Sequence, residues 1–182
     1  MDLGPNVTHV EIADISVQEV LALITRTDEA LWKRFEYRQG KGSVHEDTRS
    51  LVLKFVDDLE DEAFYQDEEL MEMFHTFLSE ALDKVKRHYG YTEMFVSRIL
   101  FAELKAKGHI IRHVDRGNVL ATHHRVHIPI KTSEKCVFTV LDRVIPFREG
   151  MITEINNWRE HEVMNSSMDS RIHLIFDVIG NE

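Results

Sequence analysis

The chain has a single cysteine, Cys136, among its 182 residues. An internal disulfide is therefore excluded, nothing demands an oxidising compartment, and a reducing cytoplasm is the expected setting. No apolar run approaches the ~20 residues that span a bilayer. Residues 1–5 lack a basic stretch followed by an apolar one, so neither a membrane span nor a signal peptide is expected. Positive charge is also scarce. With 22 Lys and Arg against 32 Asp and Glu the formal net charge is −10, which argues against a general nucleic-acid or anionic-membrane surface. There is no internal repeat and no low-complexity linker, so residues 1–182 are expected to form one domain, long enough to bury a sizeable core.

What is present divides into two textures. Residues 1–90 read as helix-rich. Residues 7–12 alternate and read as an edge strand. Ser16 with Glu19 three positions on forms a capping box for a helix carrying Val17, Val20, Leu21 and Ile24 on one side. Residues 28–34 read as a second short helix, 39–47 as a polar glycine-bearing loop and 50–56 as a strand. Residues 57–69 read as a solvated acidic loop whose end complements the dipole of the next helix. That helix runs to about His88 with Leu70, Phe74, Phe77, Leu78, Ala81, Leu82 and Val85 at helical spacing, and Gly90 stops it.

From Tyr91 onward short apolar or alternating runs follow one another: 94–104, 109–113, 119–121, 125–131, 136–142, 152–155 and 171–179. Close-spaced short strands point to a β-sandwich or barrel, with the earlier helices packed on one sheet. Cys136 opens one of these runs and reads as a buried core thiol.

Seven of the eleven histidines lie in this half: His109, His113, His123, His124, His127, His161 and His173. Histidines alone say little, but strand parity says more, since residues i and i+2 share a side. His113 and Asp115 face together. Arg125 and His127 share a side opposite Val126, Ile128 and Ile130, and Arg171 and His173 share a side opposite Ile172, Leu174 and Phe176. These polar faces either meet solvent or line the inside of a barrel. The choice of Arg, His and Asp rather than Lys, Glu and Thr favours the inside. Two histidines and a carboxylate suit a non-haem Fe(II) with open positions.

The ordered set His113-x-Asp115, Arg125-x-His127, His161-x-Val163-x-Asn165 and Arg171-x-x-Leu174-x-x-Asp177 resembles the aspartyl/asparaginyl β-hydroxylase family of the 2-oxoglutarate/Fe(II)-dependent dioxygenase superfamily, over roughly residues 95–178. The resemblance implies an α+β, mainly β fold, a double-stranded β-helix of the jelly-roll or cupin type, with its core in residues 91–182. It implies Fe(II) held by His113, Asp115 and His161, 2-oxoglutarate gripped at its far carboxylate by Arg171 and contacted near the iron by Arg125 and His127, and O2 as oxidant. The expected reaction hydroxylates an amino acid, free or within a peptide or protein, with succinate and CO2 as co-products. Animal members of the family have glycine where this chain has Asp115. The full triad is more similar to that of the bacterial and phage relatives, which include free proline hydroxylases, and it argues against the halogenating branch.

The competing class is a cupin-like metal-binding sensor, which needs no co-substrate arginine; Arg171 speaks against it. The remaining polar residues carry weaker expectations. Asn156 and Asn157 form a turn, His173 is structural or supports the site, His45, Thr48 and Arg49 lie on a surface loop, and His123, His124 and His127 are a weak zinc signal.

Overall fold

The computed structural model describes residues 2–35, 42–56, 64–115 and 117–181. Most of the acidic loop, residues 57–63, and part of the glycine-bearing loop, residues 39–41, lie outside the described residues. The elements run β1 (His9–Asp14), α1 (Gln18–Arg26), α2 (Glu29–Lys33), β2 (Thr48–Val56), β3 (Phe64–Gln66), α3 (Glu68–Met73), α4 (His75–Tyr89), β4 (Glu93–Leu104), β5 (His109–His113), α5 (Asn118–Thr122), β6 (His124–Lys131), β7 (Cys136–Val140), β8 (Arg143–Ile145), β9 (Met151–Ile155), β10 (His161–Asn165) and β11 (Arg171–Asn181). The chain is mainly β, and its strands form two antiparallel sheets. A seven-stranded sheet has the order β1-β9-β6-β11-β4-β2-β3, and a four-stranded sheet the order β5-β10-β7-β8.

The outer face of the large sheet carries Val126, Ile128, Ile130, Ile172, Leu174 and Phe176. These pack against Val20 and Ile24 of α1, Trp32 of α2, and Leu78, Ala81 and Val85 of α4 in one apolar cluster. Fully buried rings such as Phe101 and Phe176 contribute about 1.5–3 kcal/mol each. The inner face meets the small sheet through a second cluster, in which Leu104 and Ile155 pack with Ile110, Phe138 and Val163. The layers are therefore helices, large sheet and small sheet, with the polar alternates of β6 and β11 on the inside.

Several expectations are corrected. Ser16 caps nothing: α1 begins after Val17 without a side-chain cap, while Asp28 and Asp67 cap α2 and α3 through their carboxylates. The one long helix is two, interrupted at Phe74, and Gly90 ends the second in the left-handed conformation at φ 69°, as its lack of a Cβ allows. Residues 119–121 are helical, in α5, because a single turn tucks Val119 and Leu120 inward. Within the acidic stretch, Phe64–Gln66 pairs with β2. Cys136 is half-buried, at the margin of the small-sheet cluster. Pro129 sits inside the central strand β6, and the β6–β11 register slips between Ile172 and His173 beside it. Proline cannot donate to the ladder, which accounts for the slip.

Candidate active site

β5 and β10 are neighbours in the small sheet, with His113 and His161 directly paired. Their rings lie 4.3 Å apart, centroid to centroid. β5 ends at His113, so Asp115 follows on a loop rather than by strand parity, and its backbone N–H is bound by the Asn157 carbonyl at 3.3 Å. Asp115 Oδ1 lies 3.7 Å from His113 Nε2 and 4.0 Å from His161 Nε2. One ligand atom from each of the three residues falls within 4.8 Å of the others, and among the described residues no other group of three or more His, Cys, Asp or Glu side chains does this. His123, His124 and His127 form no such group among the described residues. His124 turns to the opposite face of the sheet and binds Glu154 at 2.7 Å.

The protons of the two imidazoles follow from their partners. His113 Nδ1 lies 2.7 Å from the Ile111 carbonyl and His161 Nδ1 2.9 Å from the Arg159 carbonyl. A carbonyl only accepts, so each Nδ1 carries a proton, and the neutral form of each ring presents a bare Nε2. Burial keeps His161 neutral by pulling its pKa below the ordinary value. Burial opposes ionisation of Asp115, but the charge of Arg125 outweighs it and holds the carboxyl below its ordinary range. Two imidazole lone pairs and a carboxylate oxygen thus converge with no donor between them, an arrangement that fits a divalent cation.

Arg125, part-buried, and Arg171, buried, stand on the large-sheet side. Arg125 is bound in a fork to Asp177, Nε to Oδ1 at 2.9 Å and Nη2 to Oδ2 at 2.8 Å, and its Nη1 reaches Asp115 Oδ2 at 3.0 Å. Asp177 itself is fully buried and lies opposite Arg125 in the β6–β11 register. Arg171 differs. It is buried, it stands over the Phe138 ring at 5.8 Å, and among the described residues it pairs with no carboxylate. Burial lowers its pKa to about 10.

Its Nη2 lies 2.6 Å from His173 Nδ1. A guanidinium can only donate, so His173 Nδ1 accepts. His127 Nδ1 is 3.3 Å from the same atom and must then carry its own proton. His127 Nε2 is left as a buried acceptor with no partner among the described residues. Burial, reinforced by the neighbouring arginines, holds His127 well below its ordinary pKa, and burial with Arg171 does the same to His173.

All six residues singled out in the sequence, His113, Asp115, Arg125, His127, His161 and Arg171, line one cavity of about 390 Å³. His45 and Thr48 line it too, against expectation, and the His45 ring lies 5.6 Å from that of His113. Arg49, by contrast, faces away and pairs with Glu29 and Glu103. Sequence reasoning gave no role to Asp177 or Phe138. Asp177 shares the parity of Arg171 and His173, so extending that parity by two steps along β11 would have placed it on the same inner wall.

With this geometry in view, the model of the aspartyl/asparaginyl beta-hydroxylase family matches residues 13–180. The chain belongs to that family. It is accordingly an enzyme of the 2-oxoglutarate/Fe(II)-dependent dioxygenase superfamily. No curated protein matches. Among solved structures, a 2OG-Fe(II) oxygenase family oxidoreductase from Burkholderia pseudomallei is 16% identical with TM-score 0.61, covering 89% of this chain and 76% of its own. A viral collagen prolyl hydroxylase from Paramecium Bursaria Chlorella virus-1, in its 2OG complex, is 12% identical with TM-score 0.56, covering 97% and 98%. A Pseudomonas putida prolyl-4-hydroxylase is 12% identical with TM-score 0.53, covering 93% and 90%. At these identities the structural likeness speaks for the fold.

Proposed function

We propose that this family member hydroxylates an amino acid, free or within a peptide or protein, using Fe(II), 2-oxoglutarate and O2, and that residues 1–182 act as one dioxygenase domain in a reducing cytoplasm. The two-sheet arrangement is read as the double-stranded β-helix of the superfamily. The observation that carries the proposal is the pairing, in one cavity, of a donor-free His113–Asp115–His161 cluster with a buried guanidinium, Arg171, that has no carboxylate of its own. A charge taken out of water is costly unless paired, and a planar guanidinium matches a carboxylate in two places. A dicarboxylate co-substrate with one end at the metal supplies the missing partner.

His113, Asp115 and His161 would hold the iron, with both imidazoles bound as neutral rings. Metal affinity then falls at acidic pH, as the rings protonate. When bound, iron with 2-oxoglutarate and O2 supplies the oxidising power to insert oxygen into an unactivated C–H bond, releasing succinate and CO2. The remaining work belongs to the chain. Arg171 holds the far carboxylate of the co-substrate, and Phe138 beneath it keeps water from that end. Arg125 fixes the carboxylate of Asp115 and is itself fixed by Asp177. His127 faces the middle of the cavity, beside the co-substrate's metal-proximal end.

The cavity is at the small end of the usual range for ligand sites, roughly 300–1,000 Å³. It has to take the co-substrate as well, which supports a substrate whose reacting part is no larger than an amino-acid side chain. The two prolyl hydroxylases among the fold neighbours support the same class. The test is a screen of free amino acids and peptides for substrate-dependent succinate release, with mass detection of a product heavier by one oxygen atom. Uncoupled turnover with every amino acid and peptide tried, against coupled turnover of another small molecule, would overturn the amino-acid reading.

A further inference from the structure

The loop 156–159 between β9 and β10 carries two carbonyls that act on the metal ligands. The Asn157 carbonyl accepts the backbone N–H of Asp115, and the Arg159 carbonyl accepts the Nδ1 proton of His161. The position of one ligand and the proton placement of another therefore hang on a three-residue stretch. That stretch is laced from outside by the segment 2–8, which precedes β1. Asn156, fully buried, shares the two hydrogens of its Nδ2 among the Val7 carbonyl at 2.9 Å, the Gly4 carbonyl at 3.0 Å and Asp2 Oδ1 at 3.3 Å. Its backbone N–H bonds the Thr8 carbonyl at 2.9 Å. Arg159 Nη2 spans both oxygens of Asp2, at 3.1 and 2.8 Å, and Asp2 Oδ1 also accepts the Gly4 N–H at 2.9 Å. Arg143 of β8 adds a bond to the Asn6 carbonyl at 3.2 Å.

We infer that segment 2–8 is a strap that sets the metal affinity of the site, with Asn156, Asp2 and Arg159 as positioning residues that act through the Asn157 and Arg159 carbonyls. The inference rests on the reading of His113, Asp115 and His161 as metal ligands. None of the three positioning side chains touches the cavity, so their effect on the metal is indirect. Loosening the strap lets the two carbonyls drift. Asp115 then loses its backbone anchor, and His161 gains freedom to take the tautomer that puts its proton on the metal-facing nitrogen. Losing the outer partner of a metal ligand typically weakens metal binding 10–100-fold, and the strap acts one step further out.

The experiment is a spectroscopic titration of the full chain with Co(II), which reports coordination through its visible bands without any need for turnover. The wild type is expected to bind one Co(II). Asp2→Asn and Arg159→Gln are each expected to weaken it several-fold, and Asn156→Ala roughly tenfold, with altered band intensity. Asp2→Glu should restore most of the affinity. The exchanged pair Asp2→Arg with Arg159→Asp should recover more than either half alone. The metal-free protein's thermal midpoint should move little in the Asp2 and Arg159 variants, which separates positioning from a general loss of stability. If Asn156→Ala fails to fold, the two surface variants decide. Unchanged Co(II) affinity and spectrum in them would overturn the strap inference while leaving the metal site standing. A wild type that takes up no Co(II) would instead remove the metal reading on which the strap depends.

Discussion

Arg125, part-buried, and Arg171, buried, line one cavity from the same sheet, yet they stand in opposite electrostatic situations. Arg125 is gripped by Asp177 and reaches Asp115, so its charge is balanced by the fold itself. Arg171 has a neutral imidazole and an aromatic ring for company, and no carboxylate among the described residues. The first is framework: it holds a proposed metal ligand and is complete without any ligand. The second is complete only when an anion arrives. The difference separates the part of the site that is built from the part that waits.

The comparison can be broken most decisively at the metal. His161→Ala removes a ligand outright and should abolish Co(II) binding and turnover; retained stoichiometric binding would mean that the framework side has been misread. Next comes the waiting arginine. Arg171→Ala should leave Co(II) binding largely intact and raise the 2-oxoglutarate requirement on the order of 100-fold, the loss of about two charge-assisted bonds, seen as a raised KM at saturating substrate.

Stability of the ligand-free protein sharpens the contrast. Arg125→Met leaves Asp177 only the longer contact to Arg98, at 3.8 Å, and should lower unfolding stability by up to about 3–5 kcal/mol. Arg171→Met removes a charge that nothing balances and should leave stability unchanged or raise it by about 1 kcal/mol. Urea denaturation measures both, and equal losses would erase the distinction.

The smallest effect is in pH. His127 and His173 are held neutral, well below their ordinary value of 6.5. Below pH 6.5 the unfolded chain takes up protons that the folded one refuses. Stability therefore falls as pH drops from 6.5 towards the depressed folded values, by up to about 1.4 kcal/mol per pH unit for each histidine. His127→Gln and His173→Gln should each flatten that acid limb, and an unchanged slope would show that these rings do not carry it.

Much of this contrast was legible in the sequence, and the reason is parity. Alternation along β6 and β11 put Arg125, His127, Arg171 and His173 on one face and the aliphatic residues on the other. The choice of Arg and His rather than Lys, Glu and Thr then pointed that polar face inward, which left the apolar face for the helices. Parity failed where strands end. His113 and Asp115 converge through a loop hydrogen bond to Asn157, which no spacing rule encodes. Single-turn elements were equally opaque: a short apolar run at Val119 served a helix, and the three-residue strands β3 and β8 carry too little pattern to declare themselves. His45 and Thr48 looked like surface loop because the strand pairing that brings them to the cavity, β2 against β4, is a contact some fifty residues away in sequence.

The division of labour between the two sheets has a mechanical consequence. His113 and His161 sit on neighbouring strands of the small sheet, one of them, β5, an edge strand of only five residues. Among the described residues no helix backs that sheet within the large apolar cluster, which is built on the other one. An ion gripped by both histidines would act as a rivet across β5 and β10, and its binding energy would become folding energy for the four-stranded layer. Amide exchange in β5 should then slow on metal loading while the β4–β11 ladder hardly changes. The catalytic centre would double as the fastening that keeps the thinner half of the molecule shut.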